Sequence, residues 1–256
     1  MRDPTKRFSD RAGYYVKSRP GYPSQIIPWL SKTCGLAPEW AIADVGSGTG
    51  IFTRLLLDHG NTVYAVEPNA EMRAAAEGLL SDRSGFISVA GTAEATTLAP
   101  QSVRMAVSAQ AFHWFDRHRA RVEFERILCP GGPVALIWNR RLAETRFQRA
   151  YEDLLKEFST EHQFVGYNNI PPADLNEFFS PGRYRAVEFD NFQDLDFEGL
   201  RGRLMSASYI PAESDPSYPR MIENLTEIFR DNNENGLVHL QYRTQVFLGR
   251  LRGHNT

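Results

Sequence analysis

Ile42-Ala43-Asp44-Val45-Gly46-Ser47-Gly48-Thr49-Gly50-Ile51 decides the architecture of this chain. A largely apolar run meets three glycines spaced two apart, and a helical pattern through Phe52, Leu55, Leu56 and Leu57 begins at once. The chain therefore turns sharply where a strand becomes a helix. Glycine reaches the dihedrals that such a turn needs and lets a ligand approach the backbone, while the unpaired N–H groups at the helix start attract its negative end. A second strand pattern, Thr62-Val63-Tyr64-Ala65-Val66, ends at Glu67, 21 residues beyond Gly46. A carboxylate there is placed to accept hydrogen bonds from both hydroxyls of a ribose.

Outward from this turn, strand and helix patterns alternate. Strands fit 41–45, 62–66, 85–89, 103–107 and 132–138, and helices fit 49–59, 69–80 and 117–128, the order of a doubly wound sheet with ligand-bearing loops at its carboxyl edge. A helix over 24–34 precedes them, with Pro28 in conflict with an uninterrupted ladder. Beyond 139 the pattern reads as a helix at 144–161 and a turn-rich stretch from Gln163 to Gly182 with Pro171, Pro172 and Pro181. A strand at 183–190, helices at 194–208 and 217–232, and a last strand over 241–250 follow.

The glycine spacing separates two kinds of ligand. Dinucleotide folds want G-x-G-x-x-G, and counting from Gly46 and Gly48 puts Ile51 at the place of the third glycine. The run is instead D-x-G-x-G-x-G, which resembles the first motif of the class I S-adenosylmethionine-dependent methyltransferases. Phe8 to Pro23, Ala90 to Leu98, Ala109 to Asp116, Arg126 to Trp138 and Tyr242 to Leu251 resemble the small-molecule branch of that family, the methyltransferase type 11 or ubiquinone-biosynthesis-like group. The resemblance implies an α/β fold: a Rossmann-like seven-stranded sheet with helices on both faces, its last strand antiparallel, and an added mainly helical cap. It implies a single domain over 1–256, a lid over 1–23, and cap insertions at 140–182 and 191–240. The cofactor it implies is S-adenosyl-L-methionine, and the partner is a small-molecule methyl acceptor.

On the same resemblance, Asp44, Gly46, Ser47, Gly48 and Gly50 surround the methionyl end of the cofactor and Glu67 holds its ribose. Pro68 and Met72 lie beside the adenine, and the loop Thr92-Ala93-Glu94 runs along its edge. The family commonly has an acidic residue where Thr92 stands, so the Ala93 carbonyl and the Glu94 side chain are alternatives for the exocyclic amine. Gln110 points to the amino-acid end, and Tyr14, Tyr15 and Arg19 are lid candidates, with Tyr14 and Arg19 placed on the cofactor. His113 and Trp114 are the catalytic candidates beside the sulfonium, the first as proton acceptor and the second, with Phe112, as acceptor wall. Plainer readings stay open: Met72 in the core, Glu94 solvated at a helix start, His113 tying its loop to the lid, Trp138 closing the core. Tyr151, Phe164, Tyr167, Arg201, Arg203, Tyr209 and Arg243 are available to shape the cap.

Composition bounds the partners. A formal net charge of -2 and a pI near 6.3 give no global attraction to phosphate backbones or anionic membranes. The N6-adenine signature is absent at the fourth strand, so nucleic acid is not favoured as substrate. Without a leader or a spanning stretch the expected location is cytoplasmic, with no membrane partner. Cys34 and Cys129 read as two buried thiols. No C-x-x-C, H-E-x-x-H or clustered carboxylates call for a metal, and neither a nucleophile elbow nor a Walker loop occurs. Three readings result: methyl transfer to oxygen, nitrogen or carbon by in-line displacement, cyclisation or cleavage of the cofactor with release of methylthioadenosine, and cofactor binding without catalysis. Acceptor and oligomeric state leave no signature.

Overall fold

A computed structural model describes residues 18–159 and 170–251. The strands β1 (Ala41–Val45), β2 (Thr62–Val66), β3 (Phe86–Val89), β4 (Met105–Ala109), β5 (Val134–Arg141), β6 (Tyr184–Leu195) and β7 (Val238–Gly249) form one sheet in the order β3-β2-β1-β4-β5-β7-β6. The first five pair in parallel, and β7 runs antiparallel to both β5 and β6. Strand order reverses between β1 and β4, so the loops after these two strands open a crevice at the carboxyl edge.

The helices are α1 (Ile26–Cys34), α2 (Ile51–Asp58), α3 (Ala70–Leu80), α4 (Arg117–Ile127), α5 (Arg146–Phe158), α6 (Pro172–Phe179), α7 (Phe197–Met205) and α8 (Tyr218–Asn232). Side chains alternate across each strand, and the two faces bury different sets. Ala43 and Val45 pack with Phe124 of α4 and Phe178 of α6, whereas Ile42 packs with Leu30 of α1 and Leu56 of α2. A third cluster unites Tyr151 and Leu155 of α5, Leu200 and Leu204 of α7, and Met221 and Leu225 of α8. This helical cap rests on Leu195 of β6 and on Val238, Leu240 and Tyr242 of β7.

Several boundaries differ from expectation. Pro28 falls in the first turn of α1, where backbone N–H groups have no helical partner, so the ladder is unbroken. The stretch read as turns contains α6, because Pro171 and Pro172 stand at its entry and Leu175, Phe178 and Phe179 bury one face. β6 continues to Leu195, pairing with β7 as far as Leu195 opposite Val238, and the excursion between these strands spans 196–237 rather than 191–240. β4 covers 105–109 rather than 103–107, with Val103 bridging Leu128 instead, and β5 runs on to Arg141. Cys34 and Cys129 are partly exposed rather than buried, their thiols donating to the carbonyls of Leu30 and Gln101 at 3.1 Å each. Tyr14, Tyr15, Phe164 and Tyr167 lie outside the described residues. Among the described residues no helix is long and apolar enough to cross a membrane, and no group of three or more His, Cys, Asp or Glu is arranged to hold a metal ion.

Candidate active site

The glycine turn is pinned on three sides. The N–H groups of Gly46 and Ser47 both donate to the carbonyl of Val66, at 2.8 and 3.1 Å, which ties the turn to the end of β2. Gly46, Gly48 and Gly50 have φ of 72°, 57° and 82°. A Cβ on Gly46 would lie 2.5 Å from Cβ of Ala111, and one on Gly50 would lie 2.5 Å from Cδ1 of Leu80. Glycine is therefore required both for conformation and for the close approach of the β4 loop and α3. Beneath the turn, Asp44 is fully buried and accepts from Thr53 Oγ1 on α2 at 2.6 Å. Its Oδ1 has no partner among the described residues.

Glu67 braces the turn as well as facing the crevice. Its carboxylate accepts from Gly48 N at 3.0 Å and from Asn69 N at 2.9 Å, and each oxygen keeps a further lone pair for a ligand hydroxyl. Asn69 caps α3 through Met72 N, and Arg73 donates to the carbonyls of Glu67 and of the partly exposed Pro68. Burial pushes the Glu67 carboxyl up, while the N–H groups of Asn69 and Gly48 and the Arg73 guanidinium pull it back. The Met72 side chain is 2 % exposed and presents almost no surface to a ligand.

The aromatic loop after β4 is held by both neighbours. Gln110, at φ 56°, donates through its backbone N–H to Ile137 O at 2.9 Å and through Nε2 to Asn139 O at 3.2 Å. Glu94 accepts from Asp116 N at 2.9 Å, so it supports this loop instead of being merely solvated. Thr92 and Ala95 exchange two backbone hydrogen bonds, and Ala93 is buried in the sheet core. Phe112–Trp114 form a single 3-10 turn, in which Phe112 is buried, Trp114 is partly exposed and His113 is exposed. The His113 ring lies 4.5 Å from Trp114 and 5.1 Å, edge to face, from Trp138. Trp138 closes the core with 1 % exposure, and its indole N–H has no partner among the described residues. Arg19 reaches the cap, donating to Ser206 O at 2.8 Å.

Asp44 Oδ1, Ser47 Oγ, Thr49 Oγ1, Ser108 Oγ and Gln110 Oε1 are all buried without a hydrogen-bond partner among the described residues. Buried polar atoms in folded proteins are ordinarily paired. Such a concentration at the ends of β1 and β4 fits a ligand with both donors and acceptors, as an amino-acid head group has. Thr53 and Ser108 carried no signal in the sequence, since only the packing of α2 and β4 around the turn brings them to it.

Known proteins place this architecture. Residues 43–136 match a family model described as a methyltransferase domain. An uncharacterized methyltransferase of Mycobacterium tuberculosis is 38% identical over 244 residues, covering 93% of each chain. An uncharacterized methyltransferase-like protein of Schizosaccharomyces pombe is 28% identical over 250 residues, 94% of each. A solved chain from Anaeromyxobacter dehalogenans, provisionally a type II methyltransferase, shares the fold with a TM-score of 0.68 at 22% identity, over 92% of this chain and 99% of that one. The chain thus belongs to the class I S-adenosylmethionine-dependent methyltransferases, within the methyltransferase type 11 family. It is an enzyme of that family, and S-adenosylmethionine is its cofactor.

Proposed function

We propose that the protein transfers the methyl group of S-adenosylmethionine to oxygen, nitrogen or carbon of a small-molecule acceptor, in line with the departing sulfur. The unpartnered buried polar atoms around the glycine turn, next to a wall of His113, Trp114 and Trp138, carry this reading. The cofactor supplies an activated methyl on a sulfonium whose charge is lost on attack. The chain's task is placement. Asp44 and Ser47 receive the ammonium, Glu67 accepts from the ribose hydroxyls, and the Thr92–Glu94 loop walls the adenine. His113 and Trp114 orient the acceptor, and the cap and residues 18–23 keep water from it.

Asp44 makes the reading testable through pH. Burial pushes its carboxyl up to about 7, against the Thr53 hydrogen bond, with Glu67 adding to the rise. A folded value above the ordinary 3.8 means that this carboxyl's contribution to stability is complete below that pH and is lost as pH climbs toward about 7. A bound ammonium favours the carboxylate, so binding expels a proton on the acid side. Cofactor affinity is therefore expected to rise about tenfold or more between about pH 5.5 and about pH 8, and the slope to vanish in Asp44→Asn. Calorimetry across that range, in buffers of different ionisation heat, measures both; a flat wild-type profile removes Asp44 from the ligand.

His113→Gln tests placement against base chemistry once an acceptor is in hand. With placement dominant, single-turnover methyl transfer falls less than about tenfold and does not recover at high pH; general-base work would cost roughly 10²-fold or more. Incubation with S-adenosylmethionine alone is expected to release no methylthioadenosine. Its release without an acceptor would replace transfer by cofactor cleavage.

A further inference from the structure

The cap buries two arginines above the carboxyl edge of the sheet. β5 outruns β4, whose Ala109 pairs with Ile137, so Trp138–Arg141 continue beside β7 alone. Arg141 pairs through Nε with Glu152 of α5 at 2.5 Å, both side chains being more than nine-tenths buried. Arg203, on α7, is 3 % exposed, and no carboxylate of the described residues pairs with it. Its partners are neutral: Nε donates to Tyr242 Oη at 3.1 Å and Nη1 to Ser206 Oγ at 3.3 Å. Arg141 lies close enough to act on Arg203 electrostatically, as do Tyr242, Tyr151 and Tyr209. Two guanidiniums thus lie buried in one another's field. Tyr151 Oη, in a side chain 1 % exposed and within the field of both arginines, has no hydrogen-bond partner among the described residues.

A buried, uncompensated guanidinium is costly, and this one is not needed by its neighbours. Tyr242 also donates to Gln193 Oε1 at 2.8 Å, and Ser206 Oγ donates to Arg203 O at 2.8 Å. We propose that Arg203 and Tyr151, backed by Arg141, anchor a carboxylate of the methyl acceptor. This deepens the small-molecule reading above and rests on it. The charge of Arg203 matches a monoanion, the planar fork of arginine suits a carboxylate, and the Tyr151 hydroxyl supplies a further donor. The position is apt. Ser206 O holds Arg19, Gln193 donates to Ser18 O at 3.1 Å, and the anchor therefore lies against Ser18 and Arg19. Along β5, Arg141 stands two residues, about 7 Å, beyond Asn139, whose carbonyl receives Gln110. A small acid spans that distance.

Phenylacetate and succinate titrated calorimetrically into the full chain, with and without saturating S-adenosylhomocysteine, test the anchor against phenylacetamide, succinamide and phenyl phosphate. At least one acid is expected to bind about tenfold or more tightly than its amide and than phenyl phosphate. Arg203→Met and Tyr151→Phe are expected to lose that preference with S-adenosylhomocysteine affinity unchanged. Arg203→Met should also keep or raise the melting temperature, since it removes a buried charge and orphans no partner. Binding of neither acid, equal binding of acid and amide, or preference for the phosphate overturns the proposal. So does a lower melting temperature of Arg203→Met combined with an intact preference in Tyr151→Phe, the pattern of a structural arginine. Failure of S-adenosylhomocysteine to bind counts against the methyltransferase reading alone, because the titrations without it report on the anchor separately.

Discussion

Glu67→Ala is expected to weaken S-adenosylmethionine binding about 30-fold or more, from loss of charge-assisted hydrogen bonds worth about 2 kcal/mol. The fold will not be indifferent, because Gly48 N and Asn69 N lose their acceptor with it. Glu67→Gln separates the two duties. Its remaining carbonyl oxygen serves one N–H, so its melting temperature should fall less than that of the alanine variant while cofactor affinity still drops. Titration of a 2′-deoxyribose analogue of the cofactor completes the comparison: wild type should discriminate against it and Glu67→Ala should not. Equal cofactor affinity of wild type and Glu67→Ala would remove Glu67 from the site, leaving it a brace.

Gly46→Ala is expected to be the more damaging change to the protein as a whole. The new methyl would meet Cβ of Ala111 at 2.5 Å in a left-handed backbone at φ 72°. Strain and overlap together cost about 3 kcal/mol, which for a chain of this size lowers the melting temperature by roughly 6–12 °C. Relief requires the turn and the β4 loop to part, which carries Ser47 away from Gln110 and disperses the polar cradle. Cofactor binding should therefore vanish even in the fraction that remains folded at low temperature. Gly78→Ala is the matched control, since it lies in α3 with nothing within 4 Å of an added Cβ and should stabilise by about 0.5–1 kcal/mol. Thermal unfolding with calorimetric titration at about 10 °C checks both variants, and an unaltered Gly46→Ala protein would contradict the contact with Ala111.

What the sequence determined by itself was local. The glycine turn, the strand ending at Glu67 and the alternation through β5 follow from consecutive residues, whose periodicity and backbone freedom do not depend on distant parts of the chain. The same holds for the close agreement of β1 and β2 with expectation, both being short apolar runs bounded by turn residues. α6 escaped because prolines that end a helix also begin one, and the outer half of β6 escaped because an edge strand alternates polar residues that resemble a loop. Tertiary structure alone decided which polar groups are buried and what they meet. Asp44 finds Thr53 only when α2 folds back over β1, Glu94 finds the backbone of Asp116 only across the crevice, and Met72 turns inward when α3 docks. Arg203 meets Tyr242 across 39 residues of chain, and its burial arises from three helices closing over two strand ends. Burial and pairing are properties of segments that come together in space, so the chemistry of a charged side chain changes with its neighbours even where its place in the sequence does not.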